Sequence, residues 1–156
     1  MKYVIASGLA RNFETCREFL GHIKGLEIRF GSSPETGWDC DAEIVWFPIA
    51  HDRYGGFPKT GVAQVLDNSR FDGAPGIVLA TPPLMRGSAS NADQDAEDER
   101  QVLEILRSCV AAFVDEFGRD DESKILIHFE GSGIARPNLE PTLKALEKFL
   151  KEEGYE

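Results

Sequence analysis

Short apolar segments alternate with amphipathic segments of helical period along this chain, and that alternation constrains the fold more than any other feature. Five apolar segments are typical of buried strands: "KYVIAS" (2–7), "LEIRF" (26–30), "AEIVWFPI" (42–49), "GIVLAT" (76–81) and "KILIHF" (124–129). Parallel neighbours in a sheet need crossover connections, which are usually helices. The order predicts an α/β fold, a three-layer α/β/α sandwich with a mixed, mostly parallel central sheet.

Four segments have the pattern of helices. "FETCREFLGHI" (13–23) follows Asn12, a residue that caps helices well, and Gly25 is predicted to end this helix. "GVAQVL" (61–66) is a short helix candidate. The clearest stripe of core-facing residues runs from 102 to 117, and "LEPTLKALEKFLKEEG" (139–154) gives a last amphipathic helix. The polar, acidic stretch 86–99 is expected to be a loop that leads into the long helix.

Composition limits the class of protein. The 156 residues suit one domain, 1–156, and 42% of them are hydrophobic. There are 17 Lys and Arg against 27 Asp and Glu, a net charge of −10, which disfavours nucleic acid and anionic membranes as partners. Three cysteines without paired spacing and the lack of a long apolar run predict a cytoplasmic protein. We expect neither a metal nor a cofactor, and we expect His128 to be a hydrogen-bonded histidine of the interior or of a sheet face.

Glycines mark the loops in which a ligand is expected. In parallel α/β sheets, ligands bind outside the carboxyl ends of the strands. Gly55 and Gly56 follow the third apolar segment, and Gly61 precedes the helix candidate, so backbone N–H groups there are predicted to hold a phosphate. A plain turn is the alternative interpretation of this glycine pair.

A second glycine loop, "EGSGIARPN" (130–138), follows the strand "KILIHF". Gly131 and Gly133 flank Ser132, which adds a hydroxyl donor, and Arg136 offers a bidentate phosphate contact. We therefore expect two glycine loops to face each other across one cleft.

From Leu26 onward, the order of these segments resembles the macrodomain family, which binds ADP-ribose and whose enzymatic members remove ADP-ribose or its derivatives from targets. The resemblance is carried by "LEIRFGSS", "DAEIVWFPIAHDRYGGFPKTGVAQVL", "IVLATPPLMRG" and "KILIHFEGSGIARPNLEPTLKALEKFL". It implies a macrodomain-like shared core at 26–150, with an additional strand and helix at 1–25. It also implies ADP-ribose or a related nucleotide as the small-molecule partner.

The resemblance also implies which residues form the site. The nucleoside end would lie near Ser32 or Ser33, where the family usually has an aspartate. The diphosphate would lie between two loops, with Thr81 in the cleft wall; the loop residues are Tyr54, Gly55, Gly56, Phe57, Gly131, Ser132, Gly133, Ile134, Ala135 and Arg136. Tyr54 and Phe57 offer aromatic faces for adenine or ribose. If the protein is a hydrolase acting at the distal ribose, His51 and Asp52 are the candidates for proton transfer and water positioning, because they lie in the loop nearest that ribose.

Two other hypotheses remain. The family's usual aspartate is replaced by serine, and Ala50 or His51 stands where many members have an asparagine. These losses favour a degenerate, non-catalytic interaction or structural module, perhaps a homodimer. The third hypothesis is a Rossmann-type protein that holds a dinucleotide at "SGLARN" (7–12), although this turn lacks the full G-x-G-x-x-G spacing.

Overall fold

The computed structural model describes residues 1–68, 75–84, 93–130, 133–134 and 139–156, without the side chains of Ser33 and Pro34. Its strands are β1 (Lys2–Ser7), β2 (Glu27–Phe30), β3 (Ala42–Val45), β4 (Gln64–Asp67), β5 (Ile77–Ala80) and β6 (Lys124–His128). Its helices are α1 (Ala10–Leu20), the short α2 (Ser33–Thr36), α3 (Phe47–Tyr54), α4 (Gln94–Phe117) and α5 (Leu139–Glu152).

The six strands form one mixed sheet in the order β2-β1-β6-β3-β5-β4. Every neighbouring pair is parallel except β4 and β5, which are antiparallel. From β1 the chain crosses to β2 on one side of the sheet. β3, β4 and β5 lie on the other side, with β4 at the edge, and the last strand, β6, lies between β1 and β3. We call the edge at which the five parallel strands end the carboxyl edge. The predicted α/β class with a mostly parallel mixed sheet is confirmed.

Side chains along the strands alternate between one large hydrophobic cluster and two smaller ones, of which one holds Val4, Ala6 and Leu126. Ile5, Ile44 and Ile127 belong to the larger cluster, which also holds the buried residues of α1, α4 and α5. The other small cluster combines Ala50 of α3 with buried residues of β3 and β5, namely Val45, Val78 and Ala80. Both faces of the sheet therefore carry buried apolar side chains near its centre, as the apolar strand segments predicted, with the buried Glu43 of β3 as a charged exception.

The predicted strand "AEIVWFPI" is wrong in its second half. β3 ends at Val45, and residues 47–54 form α3. Pro48 is the reason: its fixed φ suits the first turn of a helix, where its missing N–H is not needed. His51 and Asp52, predicted in a loop, therefore lie in a helix.

The predicted helix "GVAQVL" is also wrong. Residues 64–67 form β4, which pairs with β5 so that Gln64 lies opposite Ala80. Val65 packs against the larger cluster and Leu66 against the small cluster that holds Ala50, so successive residues face opposite sides, as in a strand. In so short a segment the helical and strand periods cannot be told apart.

Two helix boundaries differ from the predictions. α1 begins at Ala10 and ends at Leu20, before Gly25, and Asn12 lies inside its first turn instead of capping it. α4 begins at Gln94, so part of the predicted loop 86–99 is helical, while 85–92 lies outside the described residues. Within the described residues, no helix has the length and apolar character that a membrane crossing needs.

Candidate functional site

The carboxyl edge carries exposed apolar side chains. Seven large apolar residues are exposed in the described part of the chain, and four of them lie at this edge: Leu9, Phe30, Trp46 and Val62. Leu9 lies two residues after β1, Phe30 ends β2 and Trp46 directly follows β3. Val62 follows Gly61, whose N–H donates to the Pro83 carbonyl just beyond β5. Exposed apolar side chains along one edge make this edge a candidate binding surface.

A fixed carboxylate, that of Glu130, lies at the centre of the edge. It follows β6 and accepts hydrogen bonds from the Ser7 hydroxyl, from the Gly8 N–H at 2.8 Å and from the Asn12 amide at 2.9 Å. Burial alone would raise the pKa of Glu130, but these donors outweigh it, and the pKa is lowered. Glu130 is therefore a permanent negative charge at neutral pH.

This carboxylate occupies the turn between β1 and α1. The Gly8 N–H, which a phosphate at "SGLARN" would need, is already bonded to Glu130. A phosphate there would also face a like charge at short range. The geometry disfavours the Rossmann-type hypothesis and moves any anion elsewhere on the edge.

His128 connects the ends of β6 and β2. It is 6% exposed, with Nδ1 3.2 Å from the Glu130 carbonyl oxygen and Nε2 3.1 Å from the Gly31 carbonyl oxygen. A neutral imidazole has one N–H and so donates to one of these two carbonyls. The prediction of a hydrogen-bonded interior histidine is confirmed.

The second glycine loop begins with a tight turn that is closed by two backbone hydrogen bonds. Gly133 N–H donates to the Glu130 carbonyl and Ile134 N–H donates to the His128 carbonyl, both at 3.0 Å. The Ile134 side chain is buried in the larger cluster. The other predicted members of this loop lie outside the described residues: Gly131, Ser132, Ala135 and Arg136.

The turn after β2 contains a carboxylate that sequence reasoning missed. Ser32 is exposed, and its N–H lies 3.3 Å from Oε2 of Glu35. Ser33 is the first residue of α2, and its side chain lies outside the described part. The predicted nucleoside end thus has an acidic neighbour at 35, although the family's usual position holds a serine.

The Gly55–Gly56 turn is closely packed at Gly56 and open at Gly55. Both residues have positive φ, 91° and 77°, which explains the glycines. A Cβ on Gly56 would lie 2.8 Å from the Leu66 side chain and 3.0 Å from that of His51, whose Nδ1 is 2.9 Å from the Gly55 carbonyl oxygen. Phe57 is 81% exposed. Gly56 contacts β4, and β3 and β5 separate that strand from β6, so a cleft shared with the second glycine loop remains a prediction.

A cavity of about 150 Å³ opens where β3 and β5 end against α4. It is lined by Trp46, Phe47, Thr81, Pro82, Leu84, Gln101 and Ile105. Thr81 fixes the start of α3, because its hydroxyl oxygen accepts the Phe47 N–H at 3.0 Å. Thr81 thus lies in the wall of this cavity, while its place in a diphosphate cleft stays a prediction.

The sequence matches no protein-family model and no curated protein. The described residues also contain no group of three or more histidine, cysteine, aspartate or glutamate side chains placed to hold a metal ion. The carboxyl edge, with its exposed apolar side chains, the Glu130 carboxylate and the cavity beside α4, is therefore the candidate functional site.

Proposed function

We propose that the protein binds a nucleotide of the ADP-ribose class across the carboxyl edge, as a macrodomain-like three-layer α/β/α sandwich. One observation carries this proposal: the strand order reverses at β6. The strand after β1 lies on one side of β6, and the strands after β3 lie on the other side. In open α/β sheets that reversal leaves a crevice outside the strand ends, in which ligands bind.

The aromatic residues of the edge suit an elongated ligand with planar groups. Phe30 and Trp46 follow strands three spacings apart, a separation of about 14 Å at the usual spacing between strands. Phe30 is 56% exposed and Trp46 is 45% exposed. Exposed aromatic faces stack well on nucleobases, so one ligand can use both ends of the crevice.

Charge decides where the diphosphate goes. Glu130 repels phosphate from the β1–α1 turn. We therefore assign the diphosphate to the second glycine loop, 131–136, as the macrodomain resemblance implies, with backbone donors other than the N–H groups of Gly133 and Ile134, which donate within the turn. We assign the nucleoside end to the neighbourhood of Phe30 and Ser32. We propose binding and not hydrolysis, because His51 Nδ1 is engaged with the Gly55 carbonyl within α3 and its turn.

Thermal unfolding with ADP-ribose, NAD and AMP tests this function. A ligand at a hundred times its Kd stabilises the folded state by about 2.7 kcal/mol, so we expect a clear rise in Tm with ADP-ribose. Phe30→Ala should weaken binding about tenfold through lost stacking.

Phe117→Ala is the matched control. Phe117 ends α4, away from the carboxyl edge, and is 50% exposed. Its ring lies 5.1 Å from that of Phe113, much as the ring of Phe30 lies 5.4 Å from that of Phe13. We expect Phe117→Ala to leave the Kd unchanged. Equal losses of affinity in the two variants would contradict the assignment of the site to the carboxyl edge.

Close packing at Gly56 favours a second candidate function, a non-catalytic interaction module. An atom added at the Cβ position of Gly56 would lie within 3.0 Å of the side chains of His51, Gln64 and Leu66. A flat thermal response to all three nucleotides, together with a dimer in sedimentation, would support this second function.

A further inference from the structure

We propose that the cavity beneath Trp46 is a binding site for a neutral single-ring group that carries a hydrogen-bond acceptor, such as an aromatic carboxamide or a lactam. This inference stands whether or not the edge binds a nucleotide, although Trp46 borders both sites. It follows from the lining, the size and one buried hydroxyl group of the cavity.

The lining selects a neutral, mostly apolar group. Five of the seven lining residues are apolar, the other two are Thr81 and Gln101, and none is charged. An ion in this cavity would lose its hydration without gaining a counter-charge, which is costly. The Gln101 amide is buried and donates to Glu97 at 3.2 Å, so it is a fixed part of the wall.

The volume selects one ring. At about 150 Å³ the cavity is smaller than the roughly 300–1,000 Å³ of sites for drug-sized ligands. An engineered apolar cavity of about 150 Å³ in another protein binds benzene. Trp46 lies at the rim with its ring 6.1 Å from that of Phe47, at 73°, so its face can cover a bound ring.

The Thr81 hydroxyl calls for an acceptor atom on that ring. Thr81 is 2% exposed, and its oxygen accepts the Phe47 N–H. Its own proton is donated to no group in the described part of the chain. A buried donor favours an acceptor, so a ring whose carbonyl oxygen reaches the Thr81 hydroxyl should bind more tightly than the same ring without an acceptor.

Tryptophan fluorescence gives a direct test, because the chain has two tryptophans and Trp38→Phe leaves Trp46 as the single reporter. We expect benzamide to change this fluorescence saturably, and we expect benzoate, the same ring with a charge, to bind at least tenfold more weakly. Trp46→Phe, which keeps only Trp38, should show no saturable response.

Variants of the lining residues distinguish a specific binding site from a cavity that is only filled by solvent. In the Trp38→Phe background, Thr81→Val should weaken benzamide binding about tenfold, whereas Thr81→Ser keeps the hydroxyl and should stay within about twofold. Leu84→Phe fills the cavity and should abolish the saturable response, even if Thr81→Val folds poorly. Absence of saturable binding, equal affinity for benzamide and benzoate, or an unchanged affinity in Leu84→Phe would overturn the proposal.

Discussion

Replacing Gly133 by alanine is expected to lower the free energy of unfolding by about 3 kcal/mol, the upper range for forcing extra atoms into a packed site. A Cβ at this position would lie 1.9 Å from the His128 carbonyl oxygen and 2.5 Å from its carbonyl carbon. That carbonyl accepts the Ile134 N–H and ends a central strand, so it cannot move aside without opening the turn. Urea unfolding of the two proteins measures the difference.

Gly76→Ala is the matched control for Gly133→Ala. An added Cβ at Gly76 meets no atom within 4 Å, and its φ lies outside the positive range. We expect this variant to equal the parent or to gain a few tenths of a kcal/mol, because alanine restricts the unfolded chain. A Gly133→Ala protein within about 1 kcal/mol of the parent would show that the turn after β6 is not closed as described.

Replacing Glu130 by glutamine is expected to lower the free energy of unfolding by about 2 kcal/mol at pH 7. The carboxylate accepts from Ser7, Gly8 and Asn12. A glutamine has one oxygen and one NH₂ group, so in either orientation at least one donor faces another donor. Glu18→Gln, on the exposed side of α1, is the control and should change stability by less than about 0.5 kcal/mol.

The same variant predicts a dependence on pH. The pKa of Glu130 is lowered in the folded protein, so its stabilisation is fully present above the unfolded pKa of about 4.3 and is lost as the pH falls through the folded value. The difference in unfolding free energy between the parent and Glu130→Gln should therefore shrink when urea unfolding is repeated in acid below that value. A difference that stays constant into acid would contradict the role of the ionised carboxylate.

The five parallel strands could be predicted from the sequence because each is marked by its own short apolar segment. "KILIHF" predicted a strand at 124–129, and β6 covers Lys124–His128, since an uninterrupted apolar run of this length suits a strand buried on both faces. The two wrong elements lie where local signals compete. Pro48 turns an apolar segment into a helix start, and pairing with β5 makes a strand of a segment whose own period is ambiguous.

The polar centre of the edge could not be predicted from the sequence. The glycines at 55 and 56 marked a turn, and both have positive φ, but the close packing of Gly56 against Leu66 of β4 depends on a pairing that the sequence does not show. Glu130 directly follows a predicted strand, which marks it as an edge residue. Its partners Ser7 and Asn12 are 123 and 118 residues away along the chain, and only the folded sheet brings them to it.

The amide spectrum of ¹⁵N-labelled protein during a titration with ADP-ribose tests nucleotide binding at the carboxyl edge most directly. We expect saturable shifts at the strand ends, at Gly31, Trp46 and Thr81, and none at Lys24 and Ser123, which lie at the opposite edge of the sheet. Shifts confined to that opposite edge, or a spectrum unchanged by millimolar ADP-ribose, would contradict the proposed site.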